Sequence, residues 1–201
     1  MNEGVVKYKI EFKETPPLEP KLWEELEPLR GALKKIGLIG VKSGVGYGNV
    51  SRRLKEGGFV ITATQTGHLQ DLDGYGYSVV TGYDEERFCI RSYGAAKPSS
   101  EAFTHAAVYT LSEEIEWVVH IHSKPLWEMM LSNDEYLKSA PVEYGTKEMA
   151  KEVRAIYKEI DPLSKPLFAM AGHEEGIVLF AKSAEDAIEV TDKLLSDFNL
   201  V

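Results

Sequence analysis

Val118-Val119-His120-Ile121-His122-Ser123, between Trp117 and Lys124-Pro125, is the stretch around which the rest of the chain can be arranged. A short apolar run, with charged residues before it and a proline after it, predicts a buried strand. Side chains alternate faces along a strand, so positions two apart point the same way. His120 and His122 then project side by side, ~6.5–7 Å apart by the rise per residue. Two imidazoles at that spacing can chelate one metal ion, typically zinc. The same pattern would also suit two unrelated histidines, one bonded within the sheet and one at a surface. What favours the first reading lies in the flanking segments.

Before this strand, Pro98-Ser99-Ser100-Glu101 predicts a helix start. A serine caps, a glutamate sits in the first turn, and Phe103, Ala106, Ala107 and Leu111 form an apolar stripe behind it. Two hydroxyls and the N–H groups of a helix start suit a phosphate, although ordinary capping uses the same residues. Glu101 beside a metal-bound substrate has the chemistry of a general acid or base. His105 follows on the same helical face, either to orient Glu101 or as a satisfied buried histidine. After the strand, Leu167–Ala171 and Gly176–Ala181 predict two further strands around the turn Gly172-His173-Glu174-Glu175. A turn histidine is commonly exposed, yet a third neutral ligand is what an open catalytic zinc site requires.

Further out, Val6, Tyr8, Ile10 and Phe12 alternate with Lys7, Lys9, Glu11 and Lys13, the pattern of a half-buried strand. Pro20 to Ile36 reads as a helix, weakened or split in its middle by Pro28 and Gly31. Gly40–Arg53 reads as a loop whose glycines at 40, 44, 46 and 48 let the backbone approach a ligand closely. It lacks the Gly-Lys-Ser/Thr of a Walker loop. Gly58–Thr64 predicts a strand, Thr66-Gly67-His68 a turn, and Tyr77–Gly82 with Arg87–Arg91 an antiparallel hairpin. His68 is expected at the surface. Helices are expected from Pro125, from Thr146 or Gly145, and from Ser183.

The chain has 201 residues and a formal net charge of −9, which argues against a large nucleic-acid footprint. It contains no run of 18 or more apolar residues, so no transmembrane helix and no membrane partner are expected. The start Met1–Lys7 lacks the basic and apolar parts of a signal peptide. Cys89 is the only cysteine, which fits a reducing cytoplasm. With no linker, repeat or low-complexity tract, residues 1–201 are expected to form one domain, a mainly antiparallel sheet covered by helices.

In order along the chain stand Gly48-Asn49-Val50-Ser51, Thr66-Gly67, Pro98-Ser99-Ser100-Glu101 with His105, His120-Ile121-His122, Gly145-Thr146-Lys147-Glu148, and Gly172-His173 before Gly176-Ile177-Val178. This ordered set resembles the class II aldolase/adducin family over roughly residues 20 to 195, with residues 1–18 as an added N-terminal strand. The resemblance implies a three-layer α/β/α fold around a mainly antiparallel central sheet. It implies Zn2+, or another divalent ion, held by His120, His122 and His173, with Glu101 as acid/base. It places Gly48, Asn49, Thr66, Gly67, Ser99 and Ser100 around a substrate phosphate. The implied reaction is retro-aldol cleavage of a phosphorylated ketose to dihydroxyacetone phosphate and an aldehyde. Alternatives within the family are a sugar-phosphate epimerase, a dehydratase, or a non-catalytic module like the adducin head. A small sugar phosphate is the implied partner, and a homo-oligomer, often a tetramer, the implied assembly. Two departures stand out. The segment from His122 to Gly145 is short, leaving Tyr136 and Tyr144 without a secure match to the family's tyrosine. Glu174-Glu175 adds acidic charge beside His173.

Overall fold

The computed structural model describes residues 4–199. In chain order the elements are β1 (Lys9–Glu14), α1 (Pro20–Trp23), α2 (Leu26–Lys35), β2 (Gly40–Lys42), β3 (Val45–Tyr47), β4 (Asn49–Arg53), β5 (Phe59–Thr62), β6 (Tyr77–Asp84) and β7 (Cys89–Gly94). They continue with α3 (Ala102–Tyr109), β8 (Trp117–His122), α4 (Lys124–Ser132), β9 (Leu137–Lys138), α5 (Lys147–Ile156), β10 (Leu167–Ala169), β11 (Gly176–Ala181) and α6 (Ala184–Asp197). Nine strands form one sheet in the order β1-β7-β6-β5-β4-β8-β11-β10-β9, and β2 pairs with β3 as a separate hairpin.

The sheet is mixed rather than purely antiparallel. Every inner ladder is antiparallel, while β1 joins β7 and β9 joins β10 in parallel at the two edges. Parallel neighbours need a long crossover rather than a tight turn, so neither pairing shows as a hairpin signal in the sequence.

Helices cover both faces. On one, α3 and α5 pack on Phe59, Ile61, Val80, Val118, Val178 and Phe180. On the other, α2, α4 and α6 pack on Val50, Val60, Val79, Val119, Ile121 and Leu179. The alternation along β8 sends Val119 and Ile121 to the second core and Val118 to the first, so His120 and His122 share the α3 face with Val118. All six residues of β8 are buried, as its apolar run predicts.

Two local readings change. The long N-terminal helix divides at Glu24-Glu25, ahead of Pro28. Pro28 is the third residue of α2, where the backbone N–H has no intrahelical partner to lose. Gly40–Arg53 is not a loop: it holds the β2–β3 hairpin and the central strand β4. Two of the polar residues that disguise β4, Ser51 and Arg53, are satisfied by partners from distant segments. Ser51 Oγ hydrogen-bonds His105 Nδ1 at 2.7 Å and Tyr109 Oη at 2.8 Å. The Arg53 guanidinium donates to the carbonyls of Ile115, Tyr109 and Ser112. Caps elsewhere agree with the sequence, Thr146 Oγ1 accepting from Met149 N and Ser183 Oγ from Asp186 N.

Candidate active site

Strand register builds the histidine cluster. In β8 and β11, His122 stands opposite Gly176 and His120 opposite Val178. The β10–β11 turn is closed by His173 N donating to the Met170 carbonyl and Gly176 N to the His173 carbonyl. That turn brings His173 over the two strand histidines. A Cβ at position 176 would lie 2.4 Å from His173 Cδ2 and 3.1 Å from His120 Nε2, so any larger residue there would displace the His173 ring.

One ring nitrogen from each of His120, His122 and His173 lies within 4.8 Å of the other two, and all three residues are buried. His122 Nε2 and His173 Nε2 are 3.1 Å apart. Among the described residues, His120 Nε2 is buried without a hydrogen-bond partner. A buried polar nitrogen without a partner is costly in a protein interior. His105 Nε2 is orphaned too but stands apart from the cluster, whereas His120 Nε2 lies beside two further buried imidazoles, and there a metal ligand is the role that such an atom fits.

Electrostatics keep the rings neutral, as metal ligation requires. Burial pushes the His122 pKa down to about 4, with Glu175 opposing the shift and Lys42 adding to it. Burial, followed by the neighbouring imidazoles, holds His120 well below its ordinary value. His173 is held low by burial, then by His122 and Lys7. The acidic pair expected to burden the site is neutralised. Lys42 Nζ lies 2.5 Å from Glu175 Oε1, and Lys124 Nζ 3.7 Å from Glu174 Oε1.

Glu101 enters at the start of α3, with Oε1 3.9 Å from His120 Nδ1 and 3.8 Å from His173 Nε2. Ser99 Oγ accepts from Glu101 N at 3.2 Å in the turn before α3; the N-cap is Glu101 itself, with no side-chain cap bond, so the expected serine cap does not form and Ser99 instead fixes the turn that carries the carboxylate. Asn49 Nδ2 lies 3.4 Å from His120 Nδ1, linking β4 to the cluster.

Gly48, Asn49, Thr66, Gly67, Ser99 and Ser100 all line one pocket, together with Glu101 and His120. Gly48 has φ +75°, and a Cβ there would crowd Ile39 and the His120 carbonyl. The structure thus gathers every residue singled out for phosphate around the end of the cluster that carries Glu101. His105 is apart from that group. Its Nδ1 is bonded to Ser51, and burial lowers its pKa to about 3, the behaviour of a buried structural histidine. His68 is exposed, its Nδ1 3.0 Å from the Gln65 carbonyl.

The two unmatched tyrosines separate. Tyr136 hydrogen-bonds Asp197 and packs on Phe198. Tyr144 is buried, with its ring centroid 4.6 Å from that of His173. Tyr47 joins the site unannounced by any motif, its ring 5.3 Å from that of His122. Its only sequence signal is an aromatic residue among the glycines before Asn49.

The fold is shared by several solved structures. YgbL from Klebsiella pneumoniae, whose designation leaves aldolase, epimerase and decarboxylase open, is 22% identical with a TM-score of 0.68, covering 90% of this chain and 88% of that one. An L-fuculose 1-phosphate aldolase is 19% identical with a TM-score of 0.66, covering 92% and 87%. The L-fuculose-1-phosphate aldolase of Thermus thermophilus is 18% identical with a TM-score of 0.64, covering 90% and 93%. No curated protein matches the sequence. The family model for the class II aldolase and adducin N-terminal domain matches residues 35–195. That span takes in every site residue above, and the chain belongs to the class II aldolase and adducin N-terminal domain family.

Proposed function

We propose that the protein is a zinc-dependent lyase that cleaves a phosphorylated ketose by a retro-aldol reaction, giving dihydroxyacetone phosphate and an aldehyde. The observation that carries this reading is one pocket lined by Gly48, Asn49, Thr66, Gly67, Ser99, Ser100, Glu101 and His120. A phosphate anchor, a carboxylate and a histidine cluster then act on a single bound molecule. His120, His122 and His173 would hold the ion. When bound, a divalent ion supplies a Lewis acid that polarises the substrate oxygens and stabilises charge on them.

The chain's own residues supply the remaining work. The backbone at Gly48 and Gly67 and the hydroxyls of Thr66, Ser99 and Ser100 bind and orient the phosphate. Glu101 takes a proton from the substrate and returns it, within reach of the histidine-held end. Burial of the three imidazoles excludes water from that end and keeps them neutral.

The test has two steps. Elemental analysis of the purified protein is expected to give about one divalent ion per chain, the stoichiometry of a three-histidine catalytic site. The loaded protein is then incubated with dihydroxyacetone phosphate and a panel of aldehydes, with carbon–carbon bond formation as the readout. Metal without bond formation for any aldehyde would sink the aldol reading and favour epimerase or dehydratase chemistry at the same site. A protein that takes up no metal even after reconstitution would favour the non-catalytic module.

A further inference from the structure

The segment Gly4–Tyr8 precedes the family match, which begins at residue 35, yet it lies against the site. Gly4 lines the pocket that holds Glu101 and His120. Val5 N donates to Tyr144 Oη at 3.1 Å, and Tyr144 Oη donates to the Val5 carbonyl at 3.3 Å. Tyr8 Oη donates to the Ser99 carbonyl at 2.7 Å, in the turn that carries Glu101. Beyond Tyr8 the chain enters β1 and is fixed to the sheet edge by the ladder with β7.

Lys7 makes the most specific of these contacts. Its Nζ sits 3.4 Å from the centroid of the Tyr144 ring, donates to the Tyr144 carbonyl at 3.2 Å, and pairs with Glu143 Oε2 at 3.3 Å. Only 16% of the Lys7 side chain is exposed, so the side chain as a whole is held against these partners. An ammonium over an aromatic face is attracted by the ring quadrupole, more strongly when desolvated. The same ring touches His173 at 4.6 Å between centroids, tilted by 54°. A chain of contacts therefore runs from Lys7 through Tyr144 to His173.

We propose that Lys7 is a positioning residue, which fixes the Tyr144 ring and through it sets the pose of the His173 imidazole. The N-terminal segment is then a working wall of this site, supplied from outside the span that the family model matches. The functional weight of the inference rests on His173 being a metal ligand, but the contact chain can be tested without metal.

The test is NMR of metal-free protein labelled at its 5 histidines. His173→Gln assigns the His173 ring signal, and Tyr144→Leu shows how far that signal moves when the aromatic ring is removed. Lys7→Met is expected to carry the His173 signal more than half of that distance, leaving His68 and His105 in place. Lys7→Arg keeps both the cation over the ring and the ion pair, and is expected to stay close to native. A His173 signal unmoved in Lys7→Met would overturn the proposal. So would Lys7→Met and Lys7→Arg moving it alike, all histidine signals moving together, or Lys7→Met moving it as far in a Tyr144→Leu background, which would assign the shift to the direct field of the ammonium at His173. Zinc titration of the native protein runs alongside. Failure to take up zinc would remove the metal reading, while the histidine signals still judge the positioning role.

Discussion

The pocket has two halves built by different means. The histidine half is made of side chains projecting from adjacent strands and one tight turn, His120 and His122 on β8 and His173 before β11. The other half is made largely of backbone and hydroxyls from three short segments, the β3–β4 junction at Tyr47–Asn49 and the loops at Thr64–Gly67 and Ser99–Ser100. A sheet fixes its side chains through ladder register, so the first half depends on residue identity at single positions. The second depends on backbone shape, which many neighbouring residues share. The first half should therefore fail abruptly under single substitutions and the second by degrees.

The sharpest way to break that contrast is His122→Ala. Metal is expected to be lost entirely by elemental analysis, with the native circular dichroism spectrum retained, because His122 is the last residue of β8. Full metal occupancy in that variant would mean that the cluster is not the ligand set. Glu101→Gln comes next. It keeps an isosteric side chain, so metal should stay, while turnover should fall about 10²–10⁴-fold, the range for losing a general acid–base group. An undiminished rate would take Glu101 out of proton transfer. The smallest effect belongs to the loop half. Ser99→Ala removes one hydroxyl from a shared cradle and the acceptor for Glu101 N. Stability should drop by about 0.5–1.5 kcal/mol in urea unfolding, the net worth of one hydrogen bond. The KM for the phosphorylated substrate should rise about fivefold, equivalent to one neutral hydrogen bond.

The same division explains what is legible in the sequence. β8 is readable because an apolar run with a following proline needs no knowledge of its neighbours. Glu101 and the serines are readable because a helix start has a local signature. β4 escapes a sequence reading because its inward residues Asn49 and Ser51 are polar, and the groups they bond come from distant segments. No periodicity rule anticipates a buried strand whose polar face is satisfied by tertiary hydrogen bonds. The two tyrosines against the imidazoles are equally hidden. Tyr47 and Tyr144 meet His122 and His173 only through the folded register. The parallel edge strand β1 is visible as a strand, but its partner β7 is not visible as its neighbour.

The central position of β8 also has a kinetic consequence. Asn49 and His120 are 71 residues apart in the chain, and His122 and His173 are 51 apart. Contacts of such separation close late, because loop entropy opposes them until much of the structure is in place. Neither the β4–β8 nor the β8–β11 ladder can form from local sequence alone. The three imidazoles therefore meet only once strands far apart in the sequence have paired at the sheet's centre, so formation of the histidine cluster reports that long-range pairing rather than any local step.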